Sequence, residues 1–346
     1  MTNDAATILA EALEAVGRRR SLTVDEAEAA FDRFMDGSAT EIQMAGLLMG
    51  LRAKGVSPSE VAGGVRALRT AMIPVPFDEP DRLVDTAGTG GGDLTTFNIS
   101  TAAAFVVAGA GVPVAKHGNR SFTSKSGSAD VLEALGVRIE LTPDQMSTIL
   151  AEVGIVFMFA PLLHPAMRHV GPVRRGLGVR TMMNLLGPLT NPAGARRQVI
   201  GVSDDSLIPL ISGALRELGH LRALVVHGEP GMDEVSPLGT TRVCELRGGA
   251  VHDYVLDPAN FDLPTGDPEG IGGGEPADNA AIIEGVLRGE TTGAARTAVV
   301  LNAAAAILAA DLVDSWAEAI GRASATIDSG AAAAALDALR SATNSV

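Results

Sequence analysis

The residues best suited to chemistry are concentrated between Asp85 and Leu135. A glycine-rich turn, GTGGG at 88–92, is followed by the polar cluster NIST at 98–101 and by the run KHGNR at 116–120. Glycines let backbone N–H groups converge on an anion, and a helix N-terminus adds positive potential. The stretch therefore predicts a site for a phosphorylated sugar with a diphosphate leaving group. The turn is neither a dinucleotide fingerprint nor a Walker loop, because no helix opens directly at it and no Gly-Lys-Ser/Thr follows.

The KHGNR run follows the apolar segment VPVA, which predicts a strand. Ligands bind at the carboxyl ends of strands in open α/β sheets. At such a position the compact charge of Lys116 suits a phosphate, and the amide of Asn119 can both donate and accept hydrogen bonds. Taken alone, a histidine such as His117 is more often structural than catalytic. The loop from Ser121 to Ser128 either wraps over an anion or is only flexible.

The polar cluster at 98–101 precedes an apolar helix that is expected to begin near Ser100. One Asn, Ser or Thr is sufficient to cap a helix, and capping is the commonest use of these residues there. The additional side chains are available for a phosphate, or for a metal through a hydroxyl oxygen.

Two further groups lie later in the chain. Asp233 and Glu234 stand in the loop HGEPGMDEVSP after an apolar strand. They form either a solvated acidic turn or a Mg²⁺ site, because this ion prefers one or two carboxylates, waters and substrate phosphates. Arg168, Arg174, Arg175 and Arg180 fall within a Gly/Pro-rich segment, and one of them is a candidate for a bidentate grip on a substrate carboxylate.

No Ser/His/Asp arrangement and no paired-histidine metal spacing stands out in the sequence. Chemistry that needs neither a nucleophilic residue nor a redox centre fits better. Transfer at a sugar C1 is such a case, in which diphosphate leaves, an oxocarbenium-like centre forms and an external amine attacks. The protein then has only to hold charge and position the reactants.

The composition sets broad limits. The chain has 346 residues, 46% of them apolar, and a formal charge of −14, which fits two folded domains and argues against general affinity for nucleic acid. Its single cysteine, Cys244, excludes an internal disulfide and indicates a reducing cytoplasm. The N-terminus does not resemble a signal peptide, and the longest uncharged run, 94–115, is interrupted by polar residues and Pro113, so no membrane association is expected.

Residues 1–75 are predicted to form a small all-helical domain. Capping boxes open three of its helices, and Ile42, Ala45, Leu48 and Leu51 recur at helical spacing; the boxes begin at Thr23, Thr40 and Ser57. Part of 161–194, rich in Gly, Pro and Arg, is expected to leave the sheet and complete this domain.

Residues 76–160 and 195–346 are predicted to form a larger α/β domain with a mostly parallel central sheet, because short β-branched strands alternate there with helices. Ser128 is expected to cap one helix and Thr142 to open the next. The expected strands are Leu83–Asp85, Val112–Ala115, Val137–Leu141, Ile155–Phe159, Gln198–Val202 and Ala223–His227.

In order along the chain, GTGG, TFNIST, KHGNR, SGSADVLEALG, HPAM, NLLGPLTNP and the DE pair closely resemble the anthranilate phosphoribosyltransferases. The resemblance covers most of the chain. It implies a homodimer of the nucleoside phosphorylase/phosphoribosyltransferase fold type that transfers phosphoribosyl from 5-phosphoribosyl 1-diphosphate to anthranilate, with Mg²⁺.

The resemblance also implies site residues. Lys116 and His117 would be catalytic, Ser100, Asp233 and Glu234 would hold the metal, and Asn119 and Arg174 would contact anthranilate, with His117, Gly187 and Pro188 lining its route. The remaining substrate contacts would be Gly88, Gly91, Gly92, Asp93, Thr96, Asn98, Ile99, Ser100, Thr101, Lys116, Gly118, Arg120, Ser124 and Ser128.

In one place the chain departs from the family pattern. The usual Gly-Thr-Gly-Gly-Asp-Gly has Gly92 and Asp93 exchanged here, so a contact of the usual Asp must pass to Asp93 or be absent. Two alternatives stay open. One is a pyrimidine nucleoside phosphorylase-like enzyme of the same fold, and the other is a non-enzymatic member that binds nucleic acid or a regulator.

Overall fold

The computed structural model describes residues 4–92, 94–121, 125–264 and 266–346. Helices precede, cover and follow one sheet. They are α1 (Asp4–Gly17), α2 (Val24–Met35), α3 (Glu41–Lys54), α4 (Pro58–Ala71), α5 (Ile99–Gly109), α6 (Ser128–Ala134), α7 (Pro143–Val153), α8 (Ala160–Leu163), α9 (Met167–Leu177), α10 (Met183–Leu186), α11 (Ile208–Glu217), α12 (Pro276–Leu287), α13 (Gly293–Ala309), α14 (Trp316–Asp328) and α15 (Ala331–Ser345).

The strands form a single sheet in the order β3-β2-β1-β4-β5-β6-β7. Neighbours from β3 to β5 pair in parallel, and β6 and β7 add an antiparallel hairpin. The mostly parallel sheet is therefore confirmed, although the hairpin was not predicted. The strands are β1 (Val84–Gly88), β2 (Val114–Gly118), β3 (Ile155–Phe159), β4 (Arg197–Gly201), β5 (Arg222–Gly228), β6 (Thr241–Arg247) and β7 (Ala250–Leu256).

The capping boxes predicted at Thr23, Thr40, Ser57 and Thr142 are present, each with both reciprocal hydrogen bonds. They fix where α2, α3, α4 and α7 begin, because the hydroxyl and the third helical side chain satisfy backbone N–H groups that have no partner within the helix.

The apolar face predicted for α3 is partly wrong. Leu48 and Leu51 are buried, whereas Ile42 is 85% exposed. The reason is geometric: a constant spacing of three residues drifts by about 60° per step around a helix of 3.6 residues per turn. Ile42 and Leu51 therefore lie on opposite sides of α3.

The strand predicted at Val137–Leu141 is also wrong. Val137, Ile139 and Leu141 are buried in alternation, as the pattern required, but the segment belongs to no sheet. The N–H of Arg138 instead donates to the hydroxyl of Thr343 on α15, at 3.2 Å. Alternation reports an extended chain with one buried face, and here a helix covers that face.

Two hydrophobic clusters divide the interior. One surrounds β1–β3 with α5–α7 and α12–α15, and α13 is buried along nearly its whole length. The other joins α1–α4, α9 and α10 to α11 and one face of β4–β6. The segment after β3 thus packs on the N-terminal helices, with α9 against α2 and α3 and α10 against α4. The domain boundaries stay a prediction. In the described part of the chain, no helix combines the length and apolarity needed to span a membrane.

Candidate active site

The predicted site residues gather where β1, β2 and β5 end, at Gly88, Gly118 and Gly228. These strands run parallel, so the loops after them open at the same edge of the sheet. The strand order reverses there between β1 and β4, and ligands of open α/β sheets bind at such a point. The structure therefore brings most of the predicted residues together at one edge of the sheet, and their roles stay a prediction.

The Asp233–Glu234 segment crosses the ends of β1, β4 and β5, and glycines at these ends make the crossing possible. A β-carbon on Gly201 would overlap the backbone of Asp233, and one on Gly228 would lie 2.5 Å from the backbone oxygen of Glu234. A β-carbon on Gly88 would lie 2.8 Å from Asp233 Oδ2. Gly88 thus has a packing function in addition to its predicted contact with substrate.

The two carboxylates are partly buried side by side. Asp233 Oδ2 accepts the N–H of Gly90 at 3.0 Å, and Glu234 Oε1 accepts the N–H of Ser100 at 3.2 Å. Burial raises the pKa of both groups, and the charge of Asp233 raises the pKa of Glu234 further, while Lys116 opposes that shift. The pair is therefore short of positive charge, which is the condition in which a cation binds favourably.

Lys116 lies beneath the edge of the sheet, with only 4% of its surface exposed. Its Nζ donates to the carbonyl oxygen of Thr86 at 2.5 Å and lies 3.5 Å from the hydroxyl of Ser100. Burial lowers the pKa of Lys116, and the charges of Asp85 and Glu234 counter this. Lys116 thus acts on the edge through Ser100 and Glu234.

His117 forms a buried pair with His164, which follows α8. The two Nε2 atoms are 3.1 Å apart, so one must carry a proton and the other accept it. Burial lowers the pKa of His117 to about 3 and that of His164 to about 4. Both rings are therefore neutral near pH 7. A hydrogen bond with the backbone of Gly187 also holds the His117 ring.

Asp85 is a fully buried carboxylate behind this pair. It accepts hydrogen bonds from the N–H of His117 at 3.2 Å, from Asn191 Nδ2 at 2.9 Å and from Gln198 Nε2 at 3.4 Å. Gln198 also donates to the carbonyl oxygen of Pro188 at 2.9 Å. Asp85 therefore ties the end of β2 to the Gly187–Asn191 segment, which carries the predicted lining of the acceptor's route.

Asn98 stands at the N-cap position of α5, but its side chain does not cap the helix. Its Nδ2 donates to the carbonyl oxygen of Ser126 at 3.1 Å, and its Oδ1 accepts from Asn279 Nδ2 at 3.0 Å. Asn279 also accepts the N–H of Gly274 at 2.7 Å. The predicted contact Thr96 forms an isolated β-bridge with Gly272, two residues before Gly274. The segment 272–274 and Asn279 thus fix the orientation of Asn98.

The loop after β2 folds back on α6. Ser128 is the first residue of α6 rather than its cap, because Gly127 takes the cap position and donates its N–H to Asp130. The Ser128 hydroxyl lies 3.3 Å from the backbone oxygen of Asn119. Arg120 is committed to Asp130 and Glu133 through short ion pairs. Its charge is therefore compensated within the protein.

The other predicted residues have varied surroundings. Gly118 packs closely on Ser128 and Phe157, and Gly92 packs on Gly231. Ile99 and Thr101 are buried, so only their backbones are near the edge. Arg174 on α9 is partly buried, burial lowers its pKa, and within the described residues its guanidinium group has no hydrogen bond or ion pair. Asp93 and Ser124 lie outside the described residues.

Comparison with known proteins identifies the family. The helical bundle domain of a glycosyl transferase family matches residues 10–72, and the a/b domain of that family matches residues 80–333. An anthranilate phosphoribosyltransferase of Azorhizobium caulinodans is 49% identical over 334 residues, which cover 96% of each chain. The enzyme of Rubrobacter xylanophilus is 50% identical over 330 residues, 95% of this chain and 96% of the other. This chain belongs to the anthranilate phosphoribosyltransferase family.

Solved structures of the family share the fold. The anthranilate phosphoribosyltransferase of Thermus thermophilus superposes with a TM-score of 0.91 at 42% identity, over 96% of this chain and 99% of that one. The enzyme of Saccharomyces cerevisiae in complex with PRPP and Mg gives a TM-score of 0.87 at 26% identity, over 99% of each chain. The resemblance and the fold predicted from the sequence are thus confirmed.

Several groups at this edge of the sheet were not predicted from the sequence. Asn302 on the buried helix α13 accepts the N–H of Val235 at 2.8 Å and donates to its carbonyl oxygen at 2.9 Å. It therefore clamps the backbone directly after Glu234. For Asn302 the available signal was an isolated amide in an apolar, alanine-rich stretch of α13, because a buried amide requires partners. Asn279 follows Asp278 at the start of α12 and gave no such signal.

The clamp predicts a local effect. Replacing Asn302 by alanine leaves the buried N–H and carbonyl groups of Val235 unpaired, at a cost of about 1–3 kcal/mol. We expect faster amide hydrogen exchange in peptides that cover residues 229–240, measured by mass spectrometry. Thr297→Val is the control, because Thr297 is buried on the same helix but bonds to Pro264. Equal exchange in both variants would contradict the clamp.

Proposed function

We propose that this chain transfers the phosphoribosyl group of 5-phosphoribosyl 1-diphosphate to the amino group of anthranilate. The products are N-(5-phosphoribosyl)anthranilate and diphosphate, and the reaction belongs to tryptophan biosynthesis. The observation that carries the proposal is the Asp233–Glu234 pair held against the glycine turn and the start of α5. We place the reaction in the cytoplasm, in keeping with the lone buried Cys244.

The donor site is proposed along the edge formed by β1 and β2. The turn at 88–92, the start of α5 and residues 116–121 and 125–128 surround it. Backbone N–H groups and hydroxyls there suit phosphate oxygens. Ser100 is central to this site, because its hydroxyl lies near Lys116 and its N–H donates to Glu234.

The residues fit a Mg²⁺ ion. In the described ranges, no three His, Cys, Asp or Glu side chains converge, so an ion held entirely by protein side chains is not favoured. Two carboxylates and a hydroxyl, completed by water and substrate phosphates, are what Mg²⁺ accepts. We propose that Asp233, Glu234 and Ser100 hold it, where it would neutralise the charge of the diphosphate.

The acceptor site is proposed between Arg174 and the end of β2. Arg174 is a partly buried cation without a protein partner in the described part of the chain, which suits the carboxylate of anthranilate. Asn119, the His117–His164 pair, Gly187 and Pro188 would line the remaining space. His117 and His164 are neutral and would shape this space without taking up charge. The proton that the amine loses once its nitrogen bonds to C1 would leave with the diphosphate or pass to water.

The reaction needs positioning more than covalent catalysis. The bond from C1 to the diphosphate oxygen breaks, its electron pair leaves with diphosphate, and the amine nitrogen forms the new bond to C1.

We propose two domains that bring donor and acceptor together: 1–75 with part of 161–194, and 76–160 with 195–346. The packing of α9 and α10 on α2–α4 supports this division.

The direct test is turnover. We expect the fluorescence of anthranilate to be consumed only when phosphoribosyl diphosphate and Mg²⁺ are both present, with one diphosphate released per anthranilate, and EDTA to stop the reaction. Absence of turnover at micromolar substrate, or phosphate-dependent release of a base from a pyrimidine nucleoside, would refute the proposal.

We also propose that the chain is a homodimer that pairs through α3. Ile42, Gly46, Met49 and Ala53 form one exposed apolar face of this helix, with Ile42 85% and Met49 37% exposed. Residues three and four apart are neighbours on a helix surface, so the face is continuous.

Sedimentation velocity tests this assembly. The wild type is expected to sediment with twice the mass of one chain, and Ile42→Glu as a monomer, because a buried carboxylate without a partner opposes association. Val255→Glu is the control, since Val255 on β7 is also exposed, at 66%. A monomeric wild type, or a dimer that survives Ile42→Glu unchanged, would contradict the proposal.

A further inference from the structure

Arg180 reaches the glycine turn from the opposite side of the site. It lies between α9 and α10, in the segment that packs on the N-terminal helices. Its guanidinium group rests on Gly91, where a β-carbon would overlap Nη2 and lie 2.7 Å from Cζ. Gly91 has a φ of +83°. Glycine at this position thus allows the positive φ of the turn and leaves space for the guanidinium group of Arg180.

The backbone of Arg180 is fixed although its side chain is exposed. Arg52 on α3 donates a hydrogen bond to the carbonyl oxygen of Arg180. The next residue, Thr181, donates its N–H to Asn184 Oδ1 at 3.0 Å at the start of α10. Both contacts hold the segment in place, so the guanidinium group is presented from a defined position.

The other cations near the phosphate edge already have partners. Lys116 bonds to Thr86 beneath the edge, Arg120 pairs with Asp130 and Glu133, and Lys125 lies 3.6 Å from Glu275. The guanidinium group of Arg180 makes no hydrogen bond or ion pair with any residue that the structure describes. Its charge still acts on Asp233, where it opposes the upward pKa shift caused by burial.

We propose that Arg180 binds the diphosphate of the donor, which would lie between the glycine turn and the metal carboxylates. The inference rests on the proposed function and adds a residue to that site. A guanidinium group suits diphosphate because it donates two parallel hydrogen bonds and keeps its charge. The leaving diphosphate gains negative charge as its bond to C1 breaks, so Arg180 stabilises the transition state more than the bound substrate.

Binding of inorganic diphosphate with Mg²⁺, measured by calorimetry, tests the assignment without turnover. We expect Arg180→Gln to weaken this binding and to raise KM for phosphoribosyl diphosphate, each by about tenfold or more, as for the loss of a hydrogen bond between charged groups. We also expect kcat to fall, because the contact strengthens as the diphosphate leaves. Arg180→Lys should restore part of the loss. Arg175→Gln is the control, because Arg175 is a neighbouring exposed arginine on α9 that has no place in the proposed site.

The KM values for the two substrates distinguish a contact with diphosphate from a contact with anthranilate. Arg180→Gln should leave KM for anthranilate unchanged, whereas Arg174→Gln should raise it. Unchanged diphosphate affinity in Arg180→Gln, or an equal rise of both KM values with a lower Tm, would overturn the inference, since the second result indicates a structural contact only. A wild type that binds diphosphate but does not turn over anthranilate would refute the proposed function and not the contact of Arg180 with diphosphate.

Discussion

The structure depends on one constraint, which is the placement of two adjacent carboxylates against the ends of three parallel strands. Asp233 and Glu234 cross these ends only because Gly88, Gly201 and Gly228 leave no side chain in the way. Two like charges in a partly buried place are costly, and the raised pKa of both acids expresses that cost. The surrounding contacts, from the turn, the start of α5 and the clamp on α13, hold the pair in position.

The same constraint explains how an acidic protein handles an anionic substrate. With a formal charge of −14, the chain has no general attraction for phosphate, so positive potential must be arranged locally. Backbone N–H groups of the turn and of α5 supply part of it, and Lys116 supplies charge from below the edge. We propose that the carboxylate pair binds a divalent cation, which would supply the remaining positive charge. A donor that arrives with Mg²⁺ would bring that cation with it.

Much of this arrangement was predictable from the sequence because its signals are local. Capping boxes gave the starts of four helices, and polar residues at the ends of predicted strands indicated where the candidate site lies. The failures are tertiary. Val137–Leu141 alternates like a strand but is covered by α15. The β6–β7 hairpin is the exception, because Gly248-Gly249 between two strand-like segments was a local signal that went unused. His164, Asn279 and Asn302 act through partners that are 47, 181 and 67 residues away in sequence, so no local pattern identifies those partners.

The central claim is that Asp233 and Glu234 form the metal site, and equilibrium dialysis with Mn²⁺ tests it most directly. Mn²⁺ replaces Mg²⁺ at oxygen ligands and is readily counted. The account predicts that the wild type retains Mn²⁺ when phosphoribosyl diphosphate is present, and that Asp233→Asn combined with Glu234→Gln abolishes this retention while the fold persists. Equal Mn²⁺ retention by the wild type and the double variant would contradict the account.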